Sequence, residues 1–137
     1  MLALLLSSGA TRCGAKQADQ RVYVPGVYGS SYGLRYQPAK IIYTGDGSSY
    51  VDHLHYRAYG GPRAVAVGVE QVDDCQPSCA HGTYHPVAAR VTLSHLARCH
   101  GKRIYAVFKI DAPNAHWYKV INPFRVDLRY MGACPAP

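Results

Sequence analysis

Short segments of alternating polar and apolar residues, each ended by glycine or proline, constrain the fold of this chain more than any other feature. In residues 63–72, "RAVAVGVEQV", Val65, Val67 and Val69 alternate with smaller or polar residues. A strand places successive side chains on opposite faces of a sheet, so this period of two predicts a strand. The stretch "GDGSS" at 45–49 follows the β-branched run "AKIIYT" and predicts a hairpin turn.

Further segments carry related patterns and are expected to be strands: 39–44, 52–60, 85–94, 102–110, 116–121 and 124–131. Residues 102–110 are apolar on both faces, which predicts a central strand. A helix over 87–98 is the alternative to the strand at 85–94, but Thr92 and its β-branched neighbours lose rotamer freedom in a helix. The sequence therefore predicts an all-β fold, a small antiparallel sandwich or open barrel of about seven strands, stapled by disulfides.

The length of 137 residues is that of one domain with one core. We expect a leader-like segment over 1–15, an extended Gly/Tyr-rich arm or loose first hairpin over 16–38, and a single β domain over 39–134. The chain has 12 tyrosines, a residue that suits half-buried strand positions because its ring packs inward while its hydroxyl finds a partner.

The first residues, "MLALLLSSGATRCGA", have the form of the end of a signal peptide, an apolar run followed by small residues. We interpret them either as a signal peptide truncated by a start codon placed too far downstream or as an atypical cleaved leader, and we expect a secreted or cell-surface protein. Lipid anchoring at Cys13 is not favoured, because Arg12 stands where a lipobox requires a small residue. No run of 18 or more apolar residues occurs, so we expect no transmembrane helix.

Four cysteines follow the leader-like segment: Cys75, Cys79, Cys99 and Cys134. An even number of cysteines in a small exported β protein is typical of a disulfide framework. Three pairings are possible. We favour Cys75 with Cys79 and Cys99 with Cys134, although spacing alone does not determine connectivity. The short ring would contribute about 2 kcal/mol and the longer loop about 4 kcal/mol to stability.

A metal site is the alternative use of the same region. Cys75, Cys79, His81 and His85 are residue types that bind zinc, and together they would make a metal-binding protein or a metal-dependent hydrolase. Structural zinc sites, however, usually combine two short ligand-bearing segments from separate parts of the chain, and this sequence has no second segment of that kind. A redox centre is disfavoured because the spacing is one residue longer than C-x-x-C.

No constellation of catalytic residues is apparent. The chain has no G-x-S-x-G motif, and "GDGSSY" lacks the lysine of a phosphate-binding loop. Asp73 and Asp74 are adjacent and would point apart in an extended chain, so we expect them to cap the cysteine loop. His53 and His55 would share one solvent-facing side of a strand. We therefore predict a protein that is not an enzyme and has no cofactor.

The formal net charge of +7 is spread along the chain, so we interpret it first as a solvated rim, and an acidic partner such as a phospholipid surface or an anionic polymer is the alternative. An anionic envelope polymer is the partner we consider, and no specific nucleic acid is expected because no RNA-binding motif accompanies the tyrosines. The densest basic run is His95, Arg98, His100, Lys102 and Arg103. With 17% charged and 48% hydrophobic residues, the composition excludes an intrinsically disordered chain.

Several motifs between Pro38 and Ile110 occur in a fixed order: "IIYTGDG", "LHYRAYG", "AVAVGVEQVDDCQPSCAHG", "YHPVAARVTLS" and "CHGKRIYAVFKI". The order resembles that of small exported actinobacterial proteins of unknown function with a C-x-P-x-C-A-x-G loop. Those proteins usually have Cys where Thr44 stands and Trp where Tyr56 and Tyr59 stand. The resemblance implies export, a disulfide-bearing β domain, and Cys134 as a replacement partner for Cys99, but no catalytic role.

Together these patterns lead to one hypothesis about function. The chain is expected to be an exported, non-enzymatic β domain that binds a partner at the cell envelope or outside the cell.

Overall fold

A computed structural model describes residues 19–28, 31–112, 124–131 and 134. Eight strands and one 3₁₀ helix are found in these ranges, with no α-helix among them: β1 (Val22–Tyr28), β2 (Ser31–Arg35), β3 (Ile41–Ile42), β4 (Ser49–Ala58), β5 (Ala64–Asp73), β6 (Tyr84–Cys99), β7 (Lys102–Asp111), β8 (Phe124–Asp127) and the 3₁₀ helix Leu128–Met131. The predicted all-β class is confirmed. The predicted strand at 116–121 lies outside the described residues.

All eight strands belong to one sheet, in the order β2-β1-β3-β4-β5-β6-β7-β8. Strand β1 also pairs with β7, in parallel, through Val22 opposite Arg103 and Tyr23 opposite Ile104. This extra pairing curls the sheet back on itself, so the fold is an open barrel rather than a sandwich. The expectation of a purely antiparallel sheet needs one correction, because the β1–β7 contact makes the sheet mixed.

The segment expected over 16–38 as an extended arm or a loose first hairpin contributes residues 22–28 and 31–35 to the sheet. Strands β1 and β2 form an antiparallel hairpin in which Val24 pairs with Arg35, and Val22 and Val24 are fully buried. Pro25 and Gly26 disfavour strands when considered locally, which is why the pattern predicted no more than an extended arm or a loose hairpin there. Pairing of β1 with β2, β3 and β7 overrides that local preference.

Strands β6 and β7 supply the centre of the core. The face predicted for β6 is confirmed, since Val87, Ala89, Val91 and Leu93 are all buried. Strand β7 is buried without interruption from 104 to 108, which confirms its predicted central place between β6 on one side and β8 and β1 on the other.

The predicted turn at 45–49 joins β3 to β4. The carboxylate of Asp46 accepts hydrogen bonds from the backbone N–H of Ser48 at 3.0 Å and from its hydroxyl at 2.7 Å. Gly47 has a φ of 74°, which glycine adopts without strain. The Thr44 hydroxyl closes the base of the turn by bonding both the N–H and the carbonyl of Ser49. Side chains of the loop itself thus supply these hydrogen bonds.

The last predicted strand, 124–131, ends at residue 127. The Asp127 carboxylate accepts a hydrogen bond from the backbone N–H of Arg129 at 3.0 Å and also binds its guanidinium. Such a local bond offers the backbone an alternative to the sheet ladder. The chain turns into the 3₁₀ helix, and Leu128 is fully buried there.

Strand β5 presents Ala64, Ala66, Glu70 and Val72 to the inside of the barrel. Ala64 and Ala66 are fully buried and Glu70 is 2% exposed, whereas Val65, Val67 and Val69 are only half-buried. The register with β6 sets this arrangement, because Ala66 and Glu70 lie opposite the buried Val91 and Val87. On the other side of β5, the register of β4 shifts between Asp52 and His55, and Leu54 lies over Gly68, where a Cβ would lie 2.6 Å from the Asp52 carbonyl oxygen. Val65, Val67 and Val69 face outward.

Candidate functional site

The loop between β5 and β6 is closed by a disulfide between Cys75 and Cys79. Its two acidic residues act as the caps that the sequence predicted. Asp73 accepts a hydrogen bond from the backbone N–H of Cys75 at 2.8 Å, and Asp74 accepts one from that of Gln76 at 3.0 Å. The two carboxylates therefore stabilise a turn and do not face each other as an acid and base pair.

Asp74 also connects the loop to the start of β6. Its carboxylate accepts a hydrogen bond from the backbone N–H of Thr83 at 3.0 Å and contacts Nε2 of His85 at 2.9 Å. The hydrogen bond with His85, followed by those from Thr83 and Gln76, lowers the pKa of Asp74 to about 2. Each of these bonds favours the ionised carboxylate. Asp74 is therefore negatively charged over the physiological pH range.

The four residues of the metal hypothesis lie in one loop but do not converge on one point. The sulfur atoms of Cys75 and Cys79 are bonded to each other, His81 contacts the Ser78 hydroxyl at 3.1 Å, and His85 contacts Asp74. Zinc requires thiolates, so the metal hypothesis applies only to a reduced protein. Across the part of the chain that the structure describes, no three His, Cys, Asp or Glu side chains are grouped to hold a metal ion.

The second disulfide joins Cys99 to Cys134, with Cα atoms 5.5 Å apart. Both cysteines are buried, at 4% and 6% exposure, and they form a small core with Tyr23 and Ile104. The two bonds are the pairs favoured from the sequence. This bond attaches the segment after β8 to the hairpin of β6 and β7, a link between chain positions far apart in sequence.

Two serine hydroxyls lie within hydrogen-bond distance of a histidine. Ser78 is 3.1 Å from Nδ1 of His81, and Ser94 is 3.0 Å from Nδ1 of His95. A nucleophile and its base also require a third group that orients the base. In the described ranges neither histidine bonds a carboxylate. His53 and His55, the two histidines expected on one side of a strand, are both exposed. Among the described residues, His53 forms a hydrogen bond with its neighbour Asp52, with Nδ1 2.8 Å from the carboxylate.

Tyrosine side chains connect the ends of several strands. The Tyr59 hydroxyl donates to the Val22 carbonyl at 2.8 Å, and its ring meets that of Tyr105 edge-on at 5.5 Å. Tyr105 donates in turn to the Gly61 carbonyl at 2.8 Å. Burial raises the pKa of Tyr59 to about 12. The abundance of tyrosine is thus explained in part by structural roles that combine ring packing with hydroxyl hydrogen bonds.

The outer surface of strands β4 to β8 carries a set of exposed cationic side chains, which we call the basic face. Its members are Arg57, Arg63, Arg90, Lys109 and Arg125. In the pairing register, Lys109 lies directly opposite Arg125 on β8, and Arg90 lies opposite Val67 on β5. Although they come from five separate segments, these cations share one side of the sheet.

The basic face surrounds a floor of half-buried valines. One cavity of about 270 Å³ is lined by Arg57, Val65, Val67 and Arg90. A neighbouring cavity of about 260 Å³ is lined by Arg63, Val65, Arg90, Thr92, Lys109 and Asp111. The two share Val65 and Arg90 and are therefore continuous. Their walls carry several positive charges and one negative charge.

The cations of the basic face are not neutralised by any residue in the described ranges. Among the residues that the structure describes, no side chain forms a hydrogen bond or an ion pair with any of the five. Like charges directly opposite on neighbouring strands, as for Lys109 and Arg125, destabilise a sheet. An anion bound between them would remove that repulsion. The arrangement is suited to binding anionic groups.

Reasoning from the sequence missed this face. Its cations are distributed over residues 57 to 125, and only the strand register brings them together. The alternation did contain a signal, because Arg90 and Lys109 each alternate with residues that the structure buries.

No helix in the described ranges has the length and hydropathy that a membrane crossing requires. Comparisons of the chain with known protein families, with curated proteins and with solved structures found no match. The resemblance to small exported actinobacterial proteins therefore stays a prediction, and function has to be argued from the site alone.

Proposed function

We propose that this chain is an exported, non-enzymatic β domain that binds an anionic polymer at the cell envelope or outside the cell through its basic face. The observation that carries the proposal is the group of five exposed cations on one side of the sheet, none of them paired within the described part of the chain. A surface of one sign raises the local concentration of oppositely charged partners and speeds their association.

A polymer fits this surface better than a small anion. The face is open and shallow, and its cations are distributed over four strands and a turn rather than gathered around one point. A polyanion can contact several cations at once, and each contact releases condensed counterions. Among the described residues no aromatic ring lines either cavity, so they offer no platform there for the aromatic stacking that single-stranded nucleic acids use.

The two disulfides support a location outside the cytoplasm. Disulfides persist in oxidising compartments and are rare where glutathione and thioredoxin keep thiols reduced. The leader-like residues 1–15 agree with this interpretation. Mass analysis after alkylation, on protein recovered from the culture medium and from the cytoplasm of the producing cell, tests it. Export predicts unlabelled Cys75, Cys79, Cys99 and Cys134 in the medium, whereas recovery in the cytoplasm alone, with free thiols, would contradict it.

Binding is tested by titrating the protein against an immobilised polyanion, such as long-chain polyphosphate, at increasing salt. The variant Arg90→Ala with Lys109→Ala should weaken binding and reduce the slope of log affinity against log salt by about two. The control, Arg35→Ala with Lys40→Ala, removes the same charge from exposed positions outside the basic face. Equal losses in the two variants would show an effect of net charge alone and overturn the proposal.

A further inference from the structure

The basic face continues into a groove along β6. A third cavity, of about 370 Å³, is lined by Pro62, Arg63, Ser94, His95 and Leu96. It shares Arg63 with the cavity that contains Lys109. The three cavities therefore adjoin one another and follow β6 from Arg90 to Leu96.

Cationic side chains occur at both ends of this groove and in its middle. Arg57 and Arg90 line the first cavity, and Arg63 and Lys109 line the second. Beyond the third cavity, Arg98 is exposed, two positions after Leu96 on the same strand. Arg98 pairs in register with Arg103 on β7, which places two more cations side by side.

The dimensions of the groove follow from the strand. At about 3.3 Å per residue, Arg90 and Arg98 are roughly 25 Å apart along β6. Arg98 donates to the Gly101 carbonyl at 3.3 Å and Arg103 donates to the Gln20 carbonyl at 3.0 Å. These partners are neutral, and within the described ranges no carboxylate pairs with either guanidinium group, so their charge is available to an anion. Between the two ends the lining is mixed: apolar Val65 and the 40% exposed Leu96 alternate with polar residues, which are Thr92, Ser94, His95 and Asp111.

We infer that the ligand is a linear polyanion that lies lengthwise along β6 and contacts three successive pairs of cations: Arg57 with Arg90, Arg63 with Lys109, and Arg98 with Arg103. This inference rests on the proposed function and adds the orientation and the minimum length of the ligand. A chain shorter than about 25 Å reaches only two of the pairs. Affinity therefore rises with chain length up to that value and then levels off, because longer chains meet no further cations in line.

The experiment measures affinity for polyphosphate chains of defined length, with contour lengths below and above about 25 Å. The wild-type chain should bind the longer set more tightly. In Arg98→Ala the salt slope for long chains should fall by about one, while short chains bind as they do to the wild type. Lys40→Ala, which removes one exposed charge away from the groove, should leave both sets unchanged.

The outcomes separate this inference from the proposed function. If short and long chains bind equally well through Arg90 and Lys109, the lengthwise path is overturned and the polyanion function stands. If no chain binds, both fail. Single-stranded DNA could instead bind far more tightly than polyphosphate of equal charge and remain bound at high salt. That result would show that the protein recognises bases rather than a line of charges, and it would overturn the inference.

Discussion

The hydroxyl of Tyr43 donates a hydrogen bond to the carboxylate of Glu70 inside the barrel, where the two residues are 5% and 2% exposed. The bond joins the end of β3 to the middle of β5. We expect Tyr43→Phe to lower the free energy of unfolding by about 1 to 3 kcal/mol, because it deprives a buried carboxyl of a donor. Urea denaturation measures this loss.

Tyr50→Phe is the matched control. The Tyr50 hydroxyl makes no hydrogen bond with the described residues, so its removal should change stability by no more than about 0.5 kcal/mol. Similar losses in the two variants would show that the bond to Glu70 contributes nothing of its own.

Gly68 is required by the bulge of β4. A Cβ at this position would lie 2.6 Å from the Asp52 carbonyl oxygen and 3.0 Å from Cδ2 of Leu54. The carbonyl cannot move without disturbing the strand, so Gly68→Ala should destabilise the protein by about 1 to 3 kcal/mol. Gly33→Ala, where no atom lies within 4 Å of the added methyl, should stay within about 0.5 kcal/mol in the same thermal or urea unfolding assay. A neutral Gly68→Ala would contradict the packing.

Local pattern predicted the class of the fold and most of its strands. The buried face of β6, from Val87 to Leu93, and the hairpin turn at 45–49 depend on neighbouring residues alone, so the sequence was sufficient for them. The first two strands were expected only as an extended arm or a loose hairpin, because Pro25 and Gly26 disfavour strands locally and the segment is stabilised by pairing with β3 and β7.

The sequence could not predict which face of β5 points inward, and the reason is a different one. Both faces of residues 63–72 carry apolar side chains, so alternation alone left open which of them the core contains. The register between β5 and β6 decides the question, because it places Ala66 and Glu70 opposite the buried Val91 and Val87. The basic face depends on the same register, which explains why no local motif indicated it.

The two disulfides should contribute unequally to stability. By loop-closure entropy, the bond between Cys99 and Cys134 stabilises the fold by about 4 kcal/mol, and that between Cys75 and Cys79 by about 2 kcal/mol. The first also lies in a buried core with Tyr23 and Ile104. Replacing Cys99 and Cys134 by alanine should therefore lower the urea midpoint by clearly more than replacing the other pair. If replacing Cys75 and Cys79 lowered the urea midpoint more, the short disulfide loop would contribute more to stability than the buried disulfide.

The capping carboxylate of Asp74 makes the cysteine loop sensitive to acid. Its pKa falls from 3.8 to about 2 in the folded protein, chiefly through the hydrogen bond with His85. A depressed folded pKa contributes stability that is fully present above pH about 4 and is lost as the pH falls through about 2. Asp74→Asn should therefore lower stability at neutral pH and reduce the loss of stability between pH 4 and 2, as measured by urea unfolding at each pH.

Asp111→Asn, at a carboxyl without a hydrogen bond to any described residue, serves as the control and should lose stability with falling pH as steeply as the wild type. If Asp74→Asn loses stability as steeply as the wild type over that interval, other carboxylates determine the acid response and the bond to His85 has no measurable part in it.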